Sequence, residues 1–301
     1  MFWFTSGIPS SGRVPDAGAG TFYSGMSNIN LEIGQGNSSA VALRTHFAQH
    51  SFIEHVDIAI GEGKAGIFDV GNELQDVKFY GGDYGIYTTK ASPGWQFMML
   101  DTYFEGQRRA AIRTQEAGLT IVRLHAKNVP VVIDVDAGFW EKLYMEDCVL
   151  DQVGTAAIRL GLTGTPETQV NLQNIRCHNV AQLVTDKDKR LQQQKDTRPV
   201  YLVKRYTAGL VMDSVNAVSV EKVTSVTEPV ANFDASLPSD IPITPPRADW
   251  VNVKTLGALG DGVHDETAVL QAAIARYPVL YFPEGRYRIS RTLHLKPATK
   301  L

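Results

Sequence analysis

The chain has almost no cysteine. Two in 301 residues exclude a disulfide scaffold and a four-cysteine zinc site. Long apolar runs are absent too. Stretches such as Val129–Ile133 fall far short of the roughly 20 residues that span a bilayer. Charge of one sign is lacking: 29 Lys and Arg face 32 Asp and Glu, for a net −3. That balance argues against a nucleic-acid binder that works through net charge. Heptads and low-complexity tracts that would mark a coiled coil or a disordered chain are missing as well. Met1-Phe2-Trp3-Phe4 has neither the basic region nor the apolar stretch of a secretory leader. We read the chain as a piece of a longer protein, its location therefore open to an extracellular or periplasmic setting.

What is there is a repeat. A small residue, an aliphatic and an outward residue recur as Ala42-Leu43-Arg44, Gly66-Ile67-Phe68, Gly85-Ile86-Tyr87, Ala111-Ile112-Arg113, Val132-Ile133-Asp134, Ala157-Ile158-Arg159 and Gln182-Leu183-Val184. The aliphatic positions are spaced by 24, 19, 26, 21, 25 and 25 residues. Just upstream of five of these units lies an alternating segment that ends in Gly81, Gly106, Asn128, Gln152 or Asn179. Short period-2 segments at this spacing predict an all-β parallel solenoid, with identical positions stacked about 4.8 Å apart. Helical solenoids need longer repeats and 3.6 periodicity. Leu43, Ile67, Ile86, Ile112, Ile133, Ile158 and Leu183 should form one inward stack. Arg44, Phe68, Tyr87, Arg113, Asp134, Arg159 and Val184 should form the column outside it.

The repeat fades after Val184. Residues 186–196 read as a solvated charged loop, and strand-like segments resume at 199–204 and 210–226. Five prolines between Pro229 and Pro246 make an extended spacer. The organisation expected is a first β-helix over 1–227, a linker over 228–250 and the start of a second β-helix over 251–301. In that last part a strand enters a glycine turn, and Asp265 caps the only convincing helical stretch, Ala268–Ile274.

Gly257-Ala258-x-Gly260-Asp261-Gly262-x-x-Asp265-x-Thr267, followed by Tyr281-Phe282-Pro283-x-Gly285-x-Tyr287, resembles the opening of the pectate-lyase-like right-handed β-helix proteins. The resemblance covers about 45 residues and implies the fold, not a reaction. It gives Asp261 and Asp265 a structural role. A β-helix start after a β-helix body resembles the tandem family-55 glycoside hydrolases, exo-acting β-1,3-glucanases. Ala48-Gln49, Gly66-Ile67-Phe68, Asp76–Phe79, Gly81-Gly82 and Gln96-Phe97 follow that family's order. Where that family is rich in tryptophan, this chain reads Arg113-Thr114-Gln115-Glu116-Ala117. The family's general acid lies beyond Leu301.

The resemblance implies glycoside hydrolysis of a polysaccharide where two β-helices meet, with Gln49 helping to position the attacking water. Glycoside hydrolysis needs two carboxyls, one of them protonated. Among Glu54, Asp57, Asp101, Glu105, Glu116, Asp134 and Asp136, the candidates carried forward are Glu105 and Glu116. Substrate-binding candidates are Phe68, Tyr87, Trp95, Gln96, Arg113, Asp134 and Arg159: aromatics to stack on sugar rings, and guanidinium forks for hydroxyls or carboxylates. The alternatives are a lyase or epimerase on uronate-rich glycans and a non-enzymatic, tailspike-like fibre. No cofactor and no metal are expected. His46, His50 and His55 beside Glu54 lack a further ligand at fixed spacing, and Asp134, Asp136, Asp147 and Asp151 are a weak version of a calcium cluster. Cys148 and Cys177 read as buried thiols. The partner expected is an oligo- or polysaccharide rather than nucleic acid or membrane, and the chain is expected to be a monomer.

Overall fold

A computed structural model describes every residue except 8–11, 13, 19, 90–95, 188–196 and 213, and of Glu221 only the backbone. The described residues form two compact units, Met1–Asp240 and Ile241–Leu301.

The first unit is a right-handed parallel β-helix of about ten turns. Each full turn contributes to three sheets. The first sheet stacks Phe2–Trp3, Val41–Arg44, Ala65–Phe68, Tyr84–Tyr87, Ala110–Thr114, the later parts of His125–Val135 and Val149–Leu160, and Val184–Asp186. The second stacks Gly25–Ser27, the starts of Phe52–Gly61 and Glu73–Gly81, Phe97–Leu100, Leu119–Val122, Lys142–Glu146 and the start of Gln169–Val180. The third takes Leu31–Glu32, the remainders of those long strands and Tyr103–Glu105.

Two corners turn the chain. Between the second and third sheets one residue per turn is left-handed: Asn28, His55, Asp76, Asp101, Arg123, Asp147 and Asn174, with φ between 47° and 56°. Between the third and first sheets the left-handed residues are Gly61, Gly81, Gly106, Asn128, Gln152 and Asn179. The Gly, Asn or Gln that punctuates the sequence repeat is therefore the second corner. Gly and Asn tolerate this conformation best. The small residue before each aliphatic has its own cause. A Cβ on Gly66 would lie 2.7 Å from the Phe79 ring, and one on Gly85 2.5 Å from Phe104. Those rings are themselves stacked 4.6 Å apart inside the core.

The inward stack forms with Leu43, Ile67, Ile86, Ile112, Ile133 and Ile158 in register. Its last member is corrected. Val184, not Leu183, pairs with Ile158, which makes Thr185 the outward residue opposite Arg159. Aliphatics at both 183 and 184, each nearly buried, made the two registers look alike. The start of the charged segment is also corrected: Asp186 ends a strand and is buried. The rest of that loop, 188–196, lies outside the described residues.

The strand-like segments expected at 199–204 and 210–226 are a hairpin of two long strands, Val200–Val211 and Val220–Pro229. Val200–Val211 runs antiparallel to Gln169–Val180 and closes that end of the parallel stack. Tyr201, Val203, Tyr206 and Ala208 turn inward to cover it. After Pro229 the chain is extended, as its prolines require, but it is bound to the first unit. Phe233 packs on His178, Arg176 donates to the carbonyls of Asp234 and Ser236, and Arg123 donates to Asp240.

The second unit pairs Val251–Asn252 with Leu280–Tyr281 and Asp261–Asp265 with Arg286–Arg288, both parallel. Helix α1, Thr267–Arg276, packs Leu270, Ala273 and Ile274 onto Val253, Ala258 and Leu280. Carboxylates hold the glycine turn. Glu266 accepts from the N–H groups of Leu259 and Gly260, and Asp261 from those of Val263 and His264. Asp265 accepts from the Thr267 N–H at the start of α1 and from the Ser290 hydroxyl.

Candidate functional site

Stacked positions repeat side chains at strand spacing, so an outward column becomes a continuous surface. On the first sheet the column runs Trp3, Arg44, Phe68, Tyr87, Arg113, Asp134, Arg159 and Thr185. Five of the sequence candidates, Phe68, Tyr87, Arg113, Asp134 and Arg159, thus fall on five successive rungs.

Their rings do not lie open. Phe68 and Tyr87 stack on each other at 5.2 Å. The Arg44 guanidinium lies 4.8 Å from the Phe68 ring centre and that of Arg113 4.1 Å from Tyr87. Lys64 adds an ammonium 4.2 Å from Tyr87. Cation–π contact of this kind is worth about 0.5–1 kcal/mol at exposed sites. The faces expected to receive sugar rings are therefore occupied by neighbours on the same column, and ring edges are what the column presents.

The charges are paired with one another. Arg44 forks onto Asp16, with Nε donating at 3.0 Å, and lies 3.5 Å from Asp69. Arg113 forks onto Asp136, and Gln115 donates to the same carboxylate. Arg159 forks onto Asp134, which also meets Lys187 at 3.0 Å. Arg113 and Arg159 flank Asp134 on the sheet, yet Arg113 takes Asp136 instead. Burial pushes the Asp134 carboxyl up, but Arg159 and Lys187 pull it further down, so its value ends below the usual carboxylate range. Asp16 is likewise held low against burial by Arg44 and Trp3.

The turns that leave the first sheet carry the other candidates. Glu116 sits at φ 52° in the turn after Ala110–Thr114. Gln96 adjoins that turn: the next residue, Phe97, donates its N–H to the Gly118 carbonyl. The turn is held by Glu141, a fully buried carboxyl that accepts from the Thr114 hydroxyl and the N–H groups of Ala117, Gly118 and Lys142. Burial pushes Glu141 up against these hydrogen bonds. Gln49 lies at the same corner three rungs earlier, roughly 14 Å away at strand spacing. Its Oε1 is buried without a hydrogen-bond partner, and so is Nε2 of His46 in the same loop. Trp95 lies outside the described residues.

Glu105 belongs elsewhere. It is on the third sheet, accepting from the Tyr103 hydroxyl at 2.8 Å and from Lys127 at 2.9 Å. Lys127 and Tyr103 hold it below the usual carboxylate range, which is the ionised form and not that of a proton donor. Glu105 and Glu116 therefore do not face each other, because the register puts them on different sides of the coil. The weak calcium cluster dissolves for the same reason: Asp134 is on the first sheet, Asp147 at a corner and Asp151 on the third sheet. His55 pairs with Asp76 at the first corner. Among the described residues no group of three or more His, Cys, Asp or Glu is arranged to hold a metal. Cys148 and Cys177 are buried, and burial pushes the Cys148 thiol up to about 12.

Sequence reasoning missed Asp16, Lys64, Lys187 and Glu141. The first three come from loops and strand ends that the repeat pattern does not index. Glu141 carries no signal beyond being acidic beside an apolar strand. Asp136 was among the acidic candidates, but its place as the partner of Arg113 follows from a turn that sequence spacing does not predict.

Residues 250–301 match the family described as rhamnogalacturonase A/epimerase, pectate lyase-like. Two mannuronan C5-epimerases of Azotobacter vinelandii, AlgE5 and AlgE2, are each 57% identical over 44 residues, 13% of this chain and 4% of the relative. A further one, AlgE1, is 54% identical over 44 residues, 13% of this chain and 3% of the relative. The matched stretch is thus a small fraction of either protein. The parallel β-helix of the first unit and the pectate-lyase-like segment of the second both support the pectate-lyase-like β-helix superfamily.

Proposed function

We propose that the chain is part of a carbohydrate-active β-helix protein whose first unit holds a uronate-containing polysaccharide along the first sheet. The observation that carries this reading is the column itself. Arg44, Lys64, Arg113, Arg159 and Lys187 line one face of stacked strands. A guanidinium has five N–H donors; a fork onto one carboxylate uses two, and Arg113 gives a third to the Thr88 carbonyl. The ion pairs therefore orient the forks while leaving donors for a glycan's carboxylates and hydroxyls. The curated relatives, named as epimerases of mannuronan, support a uronan over a neutral glucan. On the same face Asp16 and Asp134 are held by ion pairs below the usual carboxylate range, the opposite of the raised carboxyl that glycoside cleavage asks of its acid. In this reading the first sheet binds and aligns, and an epimerase or lyase step would be supplied elsewhere in the longer protein.

The test is calorimetric titration of the chain with oligomannuronate, oligogalacturonate and a β-1,3-glucan oligomer. Binding of the acidic oligomers, weakened about fivefold or more by Arg113→Ala, is expected, since a rearranged fork contributes on the order of 1 kcal/mol. Binding of the glucan alone would overturn the uronate reading.

Glycoside hydrolysis is the second reading, and one observation favours it. Gln49, which the tandem β-helix resemblance assigns to positioning water, has a buried Oε1 with no partner, close in sequence to the unpartnered His46 Nε2. Two such atoms in one loop suit a bound water or sugar hydroxyl. If Gln49→Ala abolished hydrolysis of a β-1,3-glucan by the longer protein without altering its melting temperature, this reading would replace the first.

A further inference from the structure

The hairpin that closes the first unit is unlike the rest of it. Val220–Pro229 pairs along one edge with Val200–Val211. Its other edge has no strand partner among the described residues. Both of its faces meet solvent: Val220, Val223 and Val226 are each 43–48% exposed. The turn at its tip adds Met212, Val215 and Val218, from 52% to 92% exposed. A ten-residue edge strand rich in β-branched residues, without a bulge on its free side and with its one proline at the very end, is a template for another strand.

We propose that this edge pairs antiparallel with the same strand of a second copy of the chain, about a twofold axis through Ser225. The sequence of the strand carries the argument, because it is self-complementary in that register. Residues whose numbers sum to 450 face each other. Lys222 of each copy then stands opposite Glu228 of the other, Val223 opposite Thr227, Thr224 opposite Val226, and Ser225 opposite itself. Opposite charges and β-branched pairs directly across a strand pair are favourable, and like charges are not. Lys222 is exposed, and Glu228 is half-exposed with Lys204 at 2.9 Å across the hairpin. A one-residue shift would remove both charge pairs and turn each strand's faces over. A closed isologous contact of this kind ends with two copies and does not propagate. The proposal departs from the monomer expected from the sequence.

The experiment is light scattering after size exclusion of the whole chain, over a range of concentrations. The wild type is expected to be a dimer that dissociates on dilution. Lys222→Glu alone and Glu228→Lys alone should each weaken self-association about tenfold, since each places like charges opposite one another twice. Mixing the two variants should restore a dimer, because the heterodimer has opposite charges at both positions. That rescue does not depend on how either substitution affects its own hairpin. A wild type that stays monomeric at every concentration would overturn the proposal, including one whose 220–229 amides are protected by another part of the same chain. A dimer unaffected by both single substitutions, or no rescue on mixing, would overturn it as well.

Discussion

The two units keep their folds by different means. In the first, an aliphatic stack runs through successive turns, and Leu43, Ile67, Ile86, Ile112 and Ile133 are fully buried. Its outer charges pair with neighbours one rung away. In the second, the apolar cluster is small, and the glycine turn is pinned by three carboxylates accepting from backbone N–H groups. The difference teaches where each unit is vulnerable. The first depends chiefly on volume inside the coil, while the second leans on acceptor carboxylates, of which Asp261 and Asp265 lie at its surface and Glu266 is buried.

The largest effect should come from the coil interior. Phe104→Ala removes a fully buried ring stacked on Phe79 and packed against Gly85. It should cost the first unit about 3–5 kcal/mol, read as a shift in the denaturant midpoint. Hydrogen exchange at α1 should be unchanged, because nothing in the second unit's own cluster is altered. An equal loss of protection in both units would break the distinction between them.

Next comes Glu141→Leu. It deprives the Thr114 hydroxyl and the N–H groups of Ala117, Gly118 and Lys142 of their acceptor. A buried donor left unpaired costs about 1–3 kcal/mol, and four lose their acceptor while the cost of burying a carboxyl is relieved, so a net loss of at least that size is expected from thermal unfolding, with exchange rising at 114–118. Glu141→Gln keeps the shape and one acceptor oxygen and should recover most of it.

Acid should separate the units in the other direction. Backbone N–H groups of Val263 and His264, and then the His264 ring, hold the Asp261 carboxyl down to about 2, against an ordinary 3.8. The Ser290 and Thr267 hydroxyls and the Thr267 N–H hold Asp265 lower still. A carboxylate depressed by folding stabilises fully above its ordinary value and ceases to do so as pH falls through its folded value. Between pH 4 and about 2 the amides of 259–268 should therefore lose more protection than those of 110–114, where Asp134 is lowered too but the strand is held by the buried aliphatic stack. Retained protection at 259–268 throughout that range would show that the carboxylates are not what holds the turn.

The smallest effect sharpens the account of the corners. Gln152 is left-handed at φ 57°, where the equivalent residue three turns earlier is Gly81. Gln152→Gly removes that strain but frees the unfolded chain, so stability should change by no more than about 1 kcal/mol in chemical denaturation. The reverse, Gly106→Val at φ 74°, should be clearly worse.

These contrasts also show what was legible in the sequence. The coil could be read because its physics repeats: a small residue under a phenylalanine ring, an aliphatic inside, and a corner that wants Gly or Asn. Six of the seven stacked aliphatics follow from that alone, and the miss at Leu183 arose where two adjacent aliphatics offered two registers. The column of Phe68, Tyr87, Arg113, Asp134 and Arg159 was legible as positions. What those side chains touch was not, because Asp16, Lys64, Asp136 and Lys187 reach the column from segments with no periodicity. Glu105 and Glu116 looked equivalent as acids, and only the turn geometry puts them on different sides of the coil.

The central claim is that the first sheet is where the glycan lies. The most direct measurement is hydrogen exchange of the chain with and without saturating oligomannuronate. The account predicts slowed exchange at 84–88, 110–115 and 131–136, with the third-sheet segments 77–81 and 103–106 unchanged. Protection confined to the third sheet, or no change along the first sheet when the ligand is bound, would contradict it.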